Sequence, residues 1–252
     1  PIAGFMSGLD WLAAKVFDAI VPATPKIAAR FPVDKIAIIQ NFPVVEEMLG
    51  VMQLPYIQRP KALAYAGYIT KHRGIFEVVQ ALQMLNEIDG IRLDLAGKFT
   101  QQGIEDELQV LPGWPLVRFH VWLSREQLAL FLGSVRAGLV LHHPIPNEID
   151  AQPIKLYEYM SAGLPIIASN FPLLKQIIED VGCGLIVDPL DIKAVAAAMR
   201  WILDHPAEAE AMGQRGRLAV LRIYNWDAEA LKLMNLYNKV LGGVRYDNTS
   251  SL

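Results

Sequence analysis

Ala151-Gln-Pro-Ile-Lys-Leu-Tyr-Glu-Tyr-Met-Ser-Ala-Gly-Leu-Pro-Ile-Ile-Ala-Ser169 is the stretch whose reading decides the fold. It reads as loop, short helix, tight turn and buried strand. Pro153 suits a first helical position, where its missing N–H would be unpaired anyway. Gly163 is placed to end the helix in a left-handed conformation, and Pro165 blocks continuation. Leu164-Pro-Ile-Ile-Ala168 is a short apolar run of the kind buried in a parallel sheet. The helix start then faces the carboxyl edge of a sheet, where its free N–H groups and dipole favour an anion. Lys155 lies in the first turn, against the preference of that dipole, which hints at a bound phosphate. Asp150 and Glu158 flank the helix start with seven residues between them.

Outward from this stretch, strands and helices alternate. Strands are expected at 62–66, 91–96, 117–121, 137–141 and 184–187. Helices are expected at 74–86, 101–111, 171–181, 191–203, 206–223 and 226–241. Ile75, Val78, Val79, Leu82 and Leu85 mark one apolar face. Ser124 with Gln127 reads as a capping box, and Asp191 opens a helix. Before a boundary at Asn41-Phe-Pro43, the spacing predicts a helix over 1–20, strands at 20–24 and 35–40, and a short helix from Thr24-Pro25. Residues 44–60 read as a loose connection. The domain reading is therefore 1–40, 41–241 and a frayed tail, 242–252. Such alternation argues for an α/β fold with a parallel sheet covered by helices on both faces. Ligands bind such sheets beyond the strand carboxyl ends. Gly67 and Gly97 are each read as directly following a strand, where bare backbone can approach a ligand.

Composition narrows the function. The 252 residues are 53% hydrophobic with a formal net charge of −3, which gives no electrostatic case for nucleic acid. One cysteine, Cys183, excludes an internal disulfide, fits a reducing, cytoplasmic setting and reads as a packed small residue. No apolar run of about 18 residues indicates a membrane span. Pro1 is not a natural start, so the chain reads as a piece of a longer protein. There is no Gly-x-Gly-x-x-Gly, no Gly-Lys-Ser/Thr phosphate loop and no Asp-x-Asp, which weakens dehydrogenase, NTPase and metal readings. His142-His143 lacks a third ligand at metal spacing and reads as a loop pair.

Four features point to the strand-end edge: Gly67 to Arg73-Gly74, Gly97-Lys98, the loop 142–152 with Asp150, and the helix with Lys155 and Glu158. Cations, acids and a helix start together suit an anionic ligand that also carries hydroxyls. Each residue has a plainer reading too. Arg73 and Lys98 could be solvated loop cations, Glu158 an exposed helix residue, Asp150 a turn residue and Trp122 a core residue.

Taken together, Gly67 to Gly74, Leu95 to Lys98 and Asp150 to Ala168 resemble the carboxyl-terminal half of the GT-B retaining glycosyltransferases, family 4 (the glycosyl transferases group 1 domain). The resemblance covers residues 20–241 or so. It implies two Rossmann-like domains with the active site between them, the second holding a nucleotide-diphosphate sugar without a cofactor or metal. Arg73 and Lys98 would hold the diphosphate, next to the backbone of Gly67 and Tyr68. Ile154 and Lys155 would offer backbone amides to the phosphates. Glu158 matches the second acid of the family's Glu-x7-Glu motif, which binds ribose, and Asp150 stands at the first, which contacts the donor sugar. Main chain near Val121 and Trp122 would meet the base. Two departures stand out: the first acid is one methylene shorter than Glu, and Tyr68 replaces a frequent arginine, leaving Lys71 or Lys155 to supply that cation.

The resemblance further implies polysaccharide assembly, a carbohydrate or lipid-linked acceptor held by an amino-terminal domain, peripheral membrane association of the full enzyme, and a chain that binds nucleotide without transferring sugar alone. A non-hydrolysing nucleotide-sugar epimerase of the same architecture and a non-catalytic binding module are the alternatives.

Overall fold

A computed structural model describes residues 12, 14–49 and 54–242. It divides into two units, one of residues 1–42 with 225–252, the other Pro43–Tyr224. The strands are β1 Ala62–Ile69, β2 Arg92–Phe99, β3 Val117–His120, β4 Ala137–Val140, β5 Ile166–Ser169 and β6 Gly184–Val187. The helices are α1 Pro25–Ala28, α2 Glu46–Leu49, α3 Ile75–Gln83, α4 Ile104–Gln109, α5 Arg125–Leu132, α6 Pro146–Ile149, α7 Ile154–Ser161, α8 Pro172–Val181, α9 Ile192–Asp204, α10 Pro206–Arg222 and α11 Trp226–Val240.

The larger unit is the α/β fold the alternation predicts, a Rossmann-like six-stranded sheet. Its order is β3-β2-β1-β4-β5-β6 and every pair is parallel. The order reverses between β1 and β4, which opens a crevice at the strand carboxyl ends. Two neighbouring inner strands are sealed: β4 and β5 are buried at every position. The α3 face read from the sequence packs into this core, with Ile75, Val78, Val79 and Leu82 at 0% exposure.

Local signals act as the sequence suggests. Gly163 adopts φ +68, and the Gly163 and Leu164 N–H groups donate to Met160 and Tyr159 carbonyls, which closes α7 as a Schellman turn. Ser124 and Gln127 form both bonds of the capping box. Asp191 accepts from the Lys193 and Ala194 N–H groups at 2.9 and 3.1 Å. Replacing Asp191 with Ala is expected to cost about 1 kcal/mol, a fall in melting temperature of about 2–4 °C measurable by calorimetry.

In the larger unit, three expectations change. Pro153 is the N-cap of α7 rather than its first residue. The strands expected to end at Gly67 and Gly97 run on to Ile69 and Phe99, with Gly67 directly paired to Gly97. The two glycines keep the chains paired: a Cβ on Gly97 would lie 1.8 Å from the Gly67 carbonyl oxygen, so only a bare backbone fits. The loose connection at 44–60 contains a helix, α2, and a 3₁₀ turn at Tyr56–Gln58.

In the smaller unit, the strands expected at 20–24 and 35–40 reduce to one parallel bridge, Ile20 to Ile36. The Ile39 N–H donates to the Pro22 carbonyl, but Pro22 has no N–H to return the next bond, and the ladder stops. Thr24 caps α1 through its side chain. On α11, Glu229 is buried and accepts from the Gln40 N–H and from Lys232 Nζ at 2.9 and 2.6 Å. This helix, read from the sequence as part of 41–241, thus packs with residues of 1–42. The helix expected over 1–20 lies mostly outside the described residues, though 14–16 are helical, as does the tail beyond Gly242.

Candidate functional site

The carboxyl ends of β1 and β2 open onto a cavity of about 360 Å³ in the larger unit. Ala66, Gly67 and Tyr68 of β1 and Ala96 and Gly97 of β2 form its floor, and Pro153, Ile154, Lys155 and Glu158 its helical wall. Trp122, Leu123, Arg125 and Leu128 close the other side, and Arg73 stands at the edge.

Arg73 is placed by backbone. It ends the 3₁₀ turn Lys71–Arg73, and Gly74 follows at φ +66. A Cβ at Gly74 would meet the Leu141 carbonyl oxygen at 2.5 Å, so the chain turns there only as glycine. The Arg73 Nε lies 3.9 Å from Glu148 Oε1. Glu148 Oε2 in turn sits 2.6 Å from His142 Nδ1, whose ring is almost wholly buried. Burial holds the His142 pKa below its ordinary value, and the contact with His142 holds the Glu148 carboxyl below its own. His143 faces a different acid, Glu77, at 3.1 Å. The histidine pair is thus divided between two glutamates. Among the described residues no group of three or more His, Cys, Asp or Glu could hold a metal ion.

Lys155 is the most unusual group in the cavity wall. It is 7% exposed, and its Nζ has no hydrogen-bond partner. The ammonium lies 3.8 Å from the Tyr65 ring centre, a cation–π contact that partly replaces lost water. Burial, then the nearby charge of Arg73, pushes its pKa down to about 7, against the pull of Glu158 and Glu148. No side chain caps the start of α7, so the helix dipole adds to the positive field. Two cations and a helix start facing one space favour an anion there.

Glu158 supplies the opposite chemistry. It is 8% exposed and hydrogen-bonded to Arg125 Nη1. Across the cavity mouth, Tyr68 and Trp122 form a tilted aromatic pair with centroids 5.1 Å apart. Two buried tyrosines stiffen β1 beneath. Tyr159 Oη accepts from the Ala66 N–H at 2.7 Å, and Tyr65 Oη donates to the Tyr68 carbonyl at 2.9 Å.

The family model described as "Glycosyl transferases group 1" matches residues 53–219. The chain belongs to this family. A curated relative, an MMP alpha-(1->4)-mannosyltransferase of Mycolicibacterium hassiacum, is 26% identical over 74% of this chain and 44% of its own length. The chain spans about half the length of the curated relatives it matches. A sucrose-phosphate synthase from Thermosynechococcus elongatus superposes with a TM-score of 0.71, 23% identity and coverage of 94% of this chain and 62% of that one. HepE of Anabaena, solved in complex with UDP, superposes with a TM-score of 0.72, 11% identity and coverage of 91% and 66%. These likenesses show that the fold of this glycosyltransferase domain is GT-B.

Within this group 1 domain, Gly67, Tyr68, Arg73, Trp122, Ile154, Lys155 and Glu158 line one cavity. Three expected members do not. Lys98 is an exposed residue inside β2, in register with Tyr68, because the strand continues past Gly97. Asp150 is exposed at the end of α6, and Val121 is 71% exposed beyond β3. Lys71, one of two replacements for the absent arginine, pairs with Glu107 at 2.8 Å, whereas Lys155 does line the cavity. Trp122 is 56% exposed and is no core residue. The sequence reading missed Arg125 and Glu148. Arg125 carried the signal used for Lys155, a cation in the first turn of a helix.

Proposed function

We propose that this chain is the donor-binding half of a retaining group 1 glycosyltransferase whose donor is a nucleotide-diphosphate sugar. One observation carries the reading: Arg73, Lys155 and the uncapped start of α7 face the same cavity as the carboxylate of Glu158. The diphosphate lies against the cations and the helix start, and Glu158 accepts from the ribose hydroxyls. When the glycosyl bond breaks, negative charge grows on the leaving diphosphate. Arg73, Lys155 and the α7 amides stabilise that charge from fixed positions, without reorganising at the moment of reaction. In this reading no metal is needed for the leaving group. The Tyr68–Trp122 pair borders the base. HepE was solved with UDP, a nucleoside diphosphate of this class, which supports the donor chemistry. Sugar transfer belongs to the whole protein, with a carbohydrate or lipid-linked acceptor met outside this chain, at the cytoplasmic side of a membrane.

The test is a thermal-shift panel of UDP-, GDP- and ADP-sugars against this chain, repeated with Glu158→Ala. At least one donor is expected to raise the melting temperature. The variant is expected to bind it at least about tenfold more weakly, equivalent to about 1.4 kcal/mol. If none of the donors shifts the wild-type transition, the reading fails.

A further inference from the structure

Arg125 occupies the first position of α5, where the helix dipole favours an acid. The Ser124–Gln127 capping box locks that end of the helix, with bonds of 3.2 and 2.9 Å. From this anchored backbone the guanidinium reaches carboxylates on two other helices. Its Nη1 donates to Glu158 Oε1 on α7, and its Nε donates to Glu47 Oε2 on α2 at 2.7 Å. Arg125 and Glu158 both line the cavity.

The two acids differ in what they need. The Glu47 side chain is 39% exposed and keeps water, while that of Glu158 is 11% exposed. A carboxylate taken out of water must be paired and hydrogen-bonded, or its burial is strongly unfavourable. Arg125 is the cation hydrogen-bonded to it. The planar fork of an arginine can address two carboxylates in fixed directions, whereas a lysine offers one point charge on a flexible stem. Glu47 holds the guanidinium from outside, and the guanidinium fixes one oxygen of Glu158 from inside. The other oxygen is then held at a set position along the cavity wall.

We propose that Arg125 is a positioning residue: it fixes Glu158 as the acceptor for the ribose hydroxyls and thereby sets the site's preference for ribonucleotides over nucleotides lacking those hydroxyls. This rests on the donor-site reading above. Arg125 acts through Glu158 and not on the diphosphate, so its loss changes discrimination rather than affinity in general.

The experiment is calorimetric titration of UDP, GDP and ADP, and of their 2′,3′-dideoxy forms, into wild type, Arg125→Gln and Arg125→Lys. The quantity read is the ratio of dideoxy to ribo dissociation constants for whichever base binds. Wild type is expected to show a ratio of about ten or more, corresponding to about 1.4 kcal/mol. Arg125→Gln is expected to reduce it below about three, and Arg125→Lys to fall between the two. An unchanged ratio in Arg125→Gln overturns the proposal. So does equal weakening of both nucleotide forms, which would put Arg125 on the ligand itself, or a wild-type ratio near one. Should Arg125→Gln not fold, Arg125→Lys decides alone: a ratio below wild type supports the proposal and a wild-type ratio overturns it. If no nucleotide binds wild type at all, the donor-site reading fails, and the proposal with it.

Discussion

Replacing Lys155 with Met is expected to stabilise the free chain at neutral and lower pH and to remove most of the pH dependence of donor binding. The side chain lines the cavity wall, lacks a hydrogen-bond partner and lies against the face of Tyr65. Its folded pKa is depressed to about 7, from the ordinary lysine value of 10.5. Between these two values the unfolded chain holds a proton that the folded chain has released. Stability therefore rises with pH through that window, and below it the penalty of burying the charge is present in full. That penalty is of the order of a few kcal/mol, at about 1.4 kcal/mol per pK unit. Methionine fills a similar volume with no charge to bury. The gain in melting temperature is expected to be about 5 °C or more at pH 6.5 and to shrink as the pH approaches 9.5, because a domain of this size moves about 2–4 °C per kcal/mol.

Donor binding should run the other way. A diphosphate restores a partner to the ammonium, so the protonated form of Lys155 is the one that binds. For a nucleotide-diphosphate sugar, whose diphosphate does not titrate in this range, wild-type affinity is expected to fall about tenfold between pH 6 and pH 8. Lys155→Met should bind weakly and almost uniformly across that range. Melting curves from pH 6 to pH 9.5 and titrations from pH 6 to pH 8.5 read the two effects. A flat wild-type profile would mean that Lys155 stays charged in the empty site and that the buried-ammonium account is wrong.

Gly97→Ala is expected to abolish cooperative folding or to cost more than about 4 kcal/mol, a size reached by few single substitutions. The added methyl would sit 1.8 Å from the Gly67 carbonyl oxygen and 2.9 Å from its carbon. Those atoms are backbone of the neighbouring strand, so no rotamer change can relieve the contact. β1 and β2 would have to part at Gly67 and Gly97, under the floor of the cavity. Gly103→Ala is the matched control. It also has a positive φ, +87, but nothing lies within 4 Å of its added methyl. Only the local backbone penalty remains there, about 1–2 kcal/mol. Chemical denaturation of the two variants separates clash from strain. Equal, small losses in both would refute the paired-glycine register.

The alternation of strands and helices was readable because each element announces itself within a few residues. Thr24, Ser124 and Asp191 cap helices through bonds to N–H groups two or three residues away. Gly163 ends α7 through its own left-handed backbone. Arg73, Lys155 and Glu158 were legible for a related reason, since each lies in or beside a helix start at a predicted strand end. Where such local logic had a competitor, it misled. Gly67 and Gly97 looked like strand ends, but facing each other they sustain the pairing, and this carries Lys98 into β2. Pro22 was read within a strand, although its missing N–H ends the ladder after one bridge.

The sequence by itself determined the periodicity, the caps and the turn residues, because these depend on neighbours along the chain, and with them the class of fold. Which charges meet was decided only by the tertiary structure. Arg125 reaches Glu158 across 33 residues and Glu47 across 78, and no local pattern encodes such distances. The Glu148–Arg73 contact arises because their loops follow β4 and β1, strands that the sheet order makes neighbours. Burial decided the rest: the same lysine in water would be an ordinary surface cation, and only the packed wall around Lys155 makes its charge depend on pH.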